Sequence, residues 1–145
     1  MKKTVILSFI LFFVSYLASA QSGSAILGKW QSAHGSGQIE IYKRNGLYHG
    51  KIIWLKEPND ENGKPKRDIK NPSENLRTQP IIGLEVLKDF SYKGNNMYSG
   101  GKIYDPKSGN TYNCQMSVID GDKLNIRAYF GISLLGKTET WTRVK

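Results

Sequence analysis

The chain has 145 residues, 39% of them hydrophobic and 23% charged, with 21 Lys and Arg against 12 Asp and Glu and a single Cys. That length fits one domain, and a domain of this size buries about two-thirds of its unfolded surface, enough for a core without staples. One Cys excludes an internal disulfide, and basic residues scattered rather than striped argue against nucleic acid as a partner.

Met1-Lys2-Lys3 precedes an unbroken apolar run from Thr4 to Leu17 and the small-residue exit Ala18-Ser19-Ala20. A charged start, a short apolar stretch and an Ala-x-Ala site make a bacterial-type export signal, expected to be cleaved after Ala20. A retained membrane anchor needs about 20 apolar residues, more than this run supplies. No Cys follows the cleavage point for lipid attachment. The expected mature protein is residues 21–145, one domain, periplasmic or secreted, with no transmembrane segment after cleavage. Loss of Lys2 and Lys3 leaves 19 basic against 12 acidic residues, a net +7 that favours anionic envelope surfaces such as lipid head groups or acidic polysaccharide.

Beyond residue 20 there is no useful run of helical period. Short alternating segments separated by Gly, Asn, Asp and Pro predict an all-β meander. Ile26 to Gln31 opens it. Gln38-Ile39-Glu40-Ile41-Tyr42 alternates cleanly into Lys43-Arg44-Asn45-Gly46, where Asn-Gly is a hairpin signal, and Leu47 to Leu55 returns. Lys56 to Gln79 is polar and rich in Pro, Asn and charge, a length of loop that in a compact domain is functional or disordered. Ile81 to Leu87 reads as a strand or a single helical turn, with a strand beginning near Leu84 favoured. Asn96 to Tyr104, Thr111 to Ile119, Lys123 to Phe130 and Lys137 to Val144 complete about eight strands. Short hairpins in one meander favour a single antiparallel up-and-down barrel, which removes its own edges. Cys114 shares a face with Tyr112, Met116 and Val118, so a buried thiol is expected.

Gly28-Lys29-Trp30 near the start and Trp141-Thr142-Arg143 near the end resemble the closure of lipocalin-like, calycin-type barrels. There a Trp plugs one end and an Arg packs over its ring, gaining about 1–2 kcal/mol of cation–π energy when shielded from water. Asp68-x-x-Asn71-Pro72, Arg77 and Pro80-Ile81-Ile82-Gly83-Leu84 resemble the middle signature of a bacterial exported family known only as a domain of unknown function. Gly100-Gly101-Lys102-Ile103-Tyr104-Asp105-Pro106-x-x-Gly109-x-x-Tyr112 and Leu135-Gly136-x-Thr138-x-Thr140-Trp141-x-Arg143 are similar to the same family. The resemblance covers the mature chain. It implies a calycin-like (lipocalin or streptavidin type) barrel in the periplasm or outside the cell, and it carries no activity.

The candidate site residues follow from strand faces. Tyr48, Gly50, Ile52 and Trp54 share one face of their strand, opposite His49 and Lys51, and are expected to point inward. Tyr98, Gly100, Lys102 and Tyr104 are expected to do likewise. Inward glycines at 50 and 100 would leave space in the lumen, and aromatic rings with polar tips line small-molecule pockets. Tyr48, Trp54, Tyr98, Tyr104, Tyr112 and Arg77 are therefore the candidate ligand-binding residues, against the alternative of a barrel filled by its own side chains. In the long loop, Asp68, Asn71 and Arg77 suggest a clamp. Asn71 would cap the turn at Pro72, and Arg77 would pair with Asp68 or present its fork to an anionic head group at the barrel mouth. Trp30, Asp68, Asn71, Trp141 and Arg143 are expected to be structural. Trp141 and Arg143 share a parity with Glu139, an awkward inward residue, which leaves the facing of the last strand open.

Other chemistry finds little support. Asp60, Asn62, Gly63 and Asp68 lack the spacing of a calcium loop. His34 and His49 fit no metal or haem pattern, Gly-x-Ser-x-Gly is absent, and no carboxylate pair is placed for glycoside hydrolysis. Neither a cofactor, a metal nor a catalytic residue is expected. Gly131-Ile132-Ser133-Leu134-Leu135-Gly136 is an apolar hairpin tip, expected to tuck into the barrel or to touch a membrane or partner. The leading expectation is a non-enzymatic envelope protein holding a small hydrophobic or amphipathic ligand. The alternative is a filled-barrel interaction module contacting an envelope protein, membrane surface or anionic glycan. The third is an enzyme without a recognisable motif.

Overall fold

Eight strands follow one another along the computed structural model, which describes residues 23–131 and 136–145. They are β1 (Gly28–Gln31), β2 (Gly37–Arg44), β3 (Leu47–Leu55), β4 (Glu85–Gly94), β5 (Met97–Asp105), β6 (Asn110–Asp120), β7 (Lys123–Tyr129) and β8 (Lys137–Arg143). Each pairs antiparallel with the next, and β1 pairs with β8 through Trp30↔Arg143 and Gln31↔Thr142, closing the barrel. The expected up-and-down architecture is the one that forms. Both the export segment and the Ile132–Leu135 tip lie outside the described residues. Among those residues no helix is long and apolar enough to cross a membrane.

Local sequence explains most of the frame. β2 and β6 alternate as read, burying Ile39 and Ile41 and then Cys114, Met116 and Val118. The hairpin at Asn45-Gly46 has both residues at positive φ, 52° and 78°, as a tight two-residue turn requires. Asn95-Asn96 does the same for β4 and β5, at 51° and 58°. Ile26, read as the first strand residue, sits instead in a 3₁₀ turn, Gly23–Ile26. β4 extends beyond Leu87 to Gly94.

That 3₁₀ turn closes one end. Gly23 is buried, its carbonyl accepts the Tyr98 hydroxyl at 2.5 Å, and the buried Trp30 Nε1 donates to Ile26 O at 2.8 Å. Arg143 lies 4.2 Å over the Trp30 ring. Its Nε, Nη1 and Nη2 donate to the carbonyls of Gly121, Leu27 and Ala25 at 2.6, 2.9 and 2.6 Å. Gly28, at φ 120°, admits the guanidinium: a Cβ there would stand 3.0 Å from Nη1. The expected Trp–Arg closure is present, and the same cation also ties down the N-terminal turn.

The lumen is packed with side chains. Tyr48, Tyr98, Phe90, Leu87, Met116, Leu124, Ile126 and Trp141 join one buried cluster with Trp30 and Ile41. Tyr98 contacts Tyr48 edge-on and Tyr92 at a tilt, both with centroids 5.0 Å apart. Burial pushes the Tyr98 hydroxyl up to about 12 and the Cys114 thiol likewise to about 12. Trp141 is buried opposite Leu124, so β8 turns its Trp inward. Glu139, on the same face, keeps contact with water toward the other end and pairs with Lys137 at 3.8 Å.

Four expected facings, those of Gly100, Lys102, Tyr104 and Trp54, are corrected at two bulges. Gly100 adopts φ 79° and interrupts the β5–β6 ladder between Tyr98 and Gly101. Beyond it the faces exchange, so Gly101 points inward, while Lys102 and Tyr104 join the outer wall. Trp54 is 41% exposed because the β2–β3 register shifts beside it, and Leu55 packs toward the core instead. The inward glycines do not leave room either. A Cβ on Gly50 would lie 2.8 Å from Leu87 Cδ1, and one on Gly101 would lie 2.5 Å from both Phe90 Cδ2 and Lys88 O.

Candidate functional site

The long connection between β3 and β4 folds back on the outside of the wall. Gly83 and Ile52 tie it to β3, with Gly83 N donating to Ile52 O at 2.7 Å, and Ile81 sinks into the core. Its anchor is the fully buried side chain of Asp68. Asp68 Oδ1 accepts the Tyr104 hydroxyl at 2.7 Å and Oδ2 accepts Asn71 Nδ2 at 2.8 Å. Burial and the Asp68 carboxylate together push the Tyr104 hydroxyl up to about 12. Asn71 Oδ1 caps Ser73 N at 2.8 Å, as the turn at Pro72 suggested. Arg77 does not pair with Asp68. Its Nε donates instead to the Asn71 carbonyl at 2.8 Å, so the clamp closes through Tyr104 rather than through Arg77.

Between this strap and strands β4 and β5 runs a groove of two connected basins, about 360 and 390 Å³. Leu76, Gln79, Leu84, Glu85 and Lys88 belong to both. The first basin adds polar groups, among them Ser73, Tyr104 and Lys102; the second adds Pro80 and Ile82. The two basins thus form one concavity whose lining mixes apolar and charged side chains throughout. Lys88 and Lys102 stand directly opposite each other across β4 and β5. Like charges in that register repel. Lys102 Nζ is held by Asn113 Oδ1 at 2.9 Å.

Two acids line the same groove, and both reach a cluster the sequence did not disclose. Glu85 accepts from Arg44 at 2.9 and 3.3 Å and from the Tyr42 hydroxyl. Partial burial acts to raise the Glu85 carboxyl, but these donors outweigh it and hold it below the usual carboxylate range. His49, outward as expected yet almost wholly buried, stacks on Tyr42. Its Nδ1 accepts the backbone N–H of Asp89 at 3.3 Å. Asp89 takes a left-handed φ of 62°, and the histidine satisfies the N–H that this kink removes from the ladder. Arg44 offsets Glu85, leaving Lys88 and Lys102 against Asp89 in the groove. Among the described residues no three His, Cys, Asp or Glu side chains assemble as a metal site.

Residues 28–143 match the family described as an uncharacterized protein conserved in bacteria, DUF2147. The chain belongs to that family. A solved structure, protein HP1028 from the human pathogen Helicobacter pylori, described as belonging to the lipocalin family, is similar at 26% identity, with 83% of each chain covered and a TM-score of 0.74. No functionally curated protein matches the chain.

In this DUF2147 protein the six candidate ligand residues do not converge. Tyr48 and Tyr98 are buried in the lumen, with Tyr98 committed to Gly23. Trp54 is on the outside, and Tyr112 packs at a tilt against Phe130 with centroids 4.5 Å apart. Arg77 fastens the strap, and Tyr104 alone lines the groove. The groove's own charged residues, Lys88, Lys102, Glu85 and Asp89, were missed. Gly100-Gly101, adjacent glycines within one strand, was the available signal, because it marks the bulge that turns Lys102 and Tyr104 outward.

Proposed function

We propose that this DUF2147 protein is a non-enzymatic binding protein of the bacterial envelope that takes a small amphipathic molecule in the groove outside its barrel wall. The observation that carries this reading is the groove itself, in which Leu76 and Leu84 line both basins alongside Lys88, with Lys102 directly opposite Lys88 on the neighbouring strand. Pockets of this volume, apolar with a few convergent polar groups, are the ordinary form of small-molecule sites. The lipocalin-like fold supplies a rigid wall for it. An envelope location is supported by Lys2-Lys3, the apolar run and the Ala18-x-Ala20 exit.

The test is native mass spectrometry of the protein purified gently from its own host, followed by denaturing extraction. The reading expects a stoichiometric small molecule that is lost on Lys88→Glu. A clean ligand-free mass, with no thermal shift against lipids and hydrophobic metabolites, would sink it. A second reading, an interaction module acting through the barrel surface, is favoured by the packed lumen.

A further inference from the structure

The connections β1–β2, β3–β4, β5–β6 and β7–β8 all emerge at one end of the barrel, opposite the Trp30–Arg143 closure. That end gathers exposed apolar side chains. Of the five exposed large hydrophobic residues among those described, three lie on the strands and connections of this end: Trp54 at 41%, Ile69 at 70% and Phe130 at 64%. Ile82 lines the groove on the outer wall, and Ile119 is the penultimate residue of strand β6. Exposed apolar side chains at one end, with cations beside them, make that end the candidate contact surface.

The charges beside it identify the partner. Lys64, Lys66, Arg67 and Lys70 lie within seven residues, and Ile69 sits among them. The one acid of that segment, Asp68, turns its carboxylate into the protein to meet Tyr104 and Asn71, which leaves the segment's outer surface cationic. Of the loop's other acids, Glu61 and Glu74 are exposed and two are partly occupied. Glu57 faces Lys66 at 3.9 Å, and Asp60 accepts the backbone of Asn62 and Lys64. An exposed Ile flanked by four cations, with a Trp on the same end, is the chemistry of an anionic membrane surface. The cations attract lipid phosphates, aliphatic side chains enter the acyl boundary, and an indole settles at the head-group level.

We propose that this end of the barrel docks on an anionic lipid bilayer, through Lys64, Lys66, Arg67 and Lys70 on the phosphates and through Trp54, Ile69 and Phe130 in the interface. The inference is independent of the groove, because none of these side chains lines it.

Trp30 and Trp141 are buried, at 0% and 4% exposure, so tryptophan emission that responds to a membrane reports Trp54. Residues 21–145, which contain the entire closed barrel, are mixed with phosphatidylcholine vesicles with and without phosphatidylglycerol, and with vesicles carrying brominated acyl chains. The proposal expects sedimentation with the phosphatidylglycerol vesicles and quenching of emission by the brominated chains, the quenching absent in Trp54→Phe. Lys64→Gln combined with Lys70→Gln weakens binding roughly thirty-fold, at about one cation's contribution each. Ile69→Asp weakens it by about ten-fold or more with far-ultraviolet circular dichroism unchanged. Equal binding to both vesicle types, or charge-dependent binding without quenching and without an effect of Ile69→Asp, overturns the proposal. So does absence of binding, which would give this surface to a protein partner.

Discussion

Arg143 is the most informative residue to perturb, because one side chain joins both ends of the chain. Its fork reaches three backbone carbonyls and covers the Trp30 indole at 4.2 Å. Arg143→Met keeps the aliphatic stem and removes the cation. A charge-assisted bond contributes about 1.5–3 kcal/mol when well shielded, and this site is only partly so; about 1 kcal/mol for each of three bonds is a discounted figure. The cation–π contact adds about 1 kcal/mol. The expected loss is therefore about 4 kcal/mol, which in a domain of this size lowers Tm by roughly 12–20 °C. Arg143→Lys keeps a charge near the ring yet reaches at most one carbonyl, so it should lose about half as much. Urea unfolding of residues 21–145, followed by tryptophan emission and circular dichroism, measures both. A loss below about 1 kcal/mol for the Met variant, or equal losses for Met and Lys, would refute the argument that the three-carbonyl fork holds the closure.

The two buried tryptophans should respond unequally. Trp30 Nε1 donates to Ile26 O, whereas Trp141 Nε1 is buried with no partner among the described residues. Trp30→Phe is expected to cost about 1 kcal/mol more than Trp141→Phe in the same urea assay. Asp68→Ala leaves the Tyr104 hydroxyl and the Asn71 amide unpaired; a loss of about 2–3 kcal/mol is expected, with new proteolytic cleavage between residues 56 and 84. The alkaline limb of stability has a defined sign. Tyr98 and Tyr104 rise from 10.0 to about 12 and Cys114 from 9.0 to about 12, so the folded state holds these protons more tightly than the unfolded chain does. Their contribution is complete below about pH 9 and declines as pH climbs toward 12, and Tyr104→Phe should flatten the decline in a pH series of urea midpoints.

Period-two patterning and turn chemistry made the barrel legible. Ile39 and Ile41, the Asn45-Gly46 turn and the Cys114–Met116–Val118 face are all local statements that pairing merely completes. The ends of the chain were also readable, because Trp30 and Arg143 carry a recognisable closure. What escaped were the places where alternation is broken. One residue of bulge at Gly100 inverted every facing after it in β5, and the shift beside Trp54 did the same at the end of β3. The left-handed Asp89 announced itself by no turn residue, and its consequence, a buried His49 accepting a backbone N–H, depends on a contact 40 positions away. The groove could not be seen for the same reason. Lys88 and Lys102 are neighbours only once the β4–β5 register is known, and the strap that borders their groove is fixed by Tyr104 binding Asp68 across 36 positions.

The pairing of β1 with β8 has a consequence for when this protein can exist. Arg143 reaches back 118 positions to the carbonyl of Ala25, so the contact that seals the barrel is nearly as non-local as the chain allows. Such contacts form late, after the entropy of closing the intervening chain has been met. Until Lys137–Arg143 arrives, a growing chain presents an open sheet with bare edges at β1 and β7 and an uncovered Trp30. Synthesis and closure are thereby separated in time. A chain in that interval is threadable and holdable by whatever carries it, and it becomes a barrel only when its last seven-residue strand is free to return to its first.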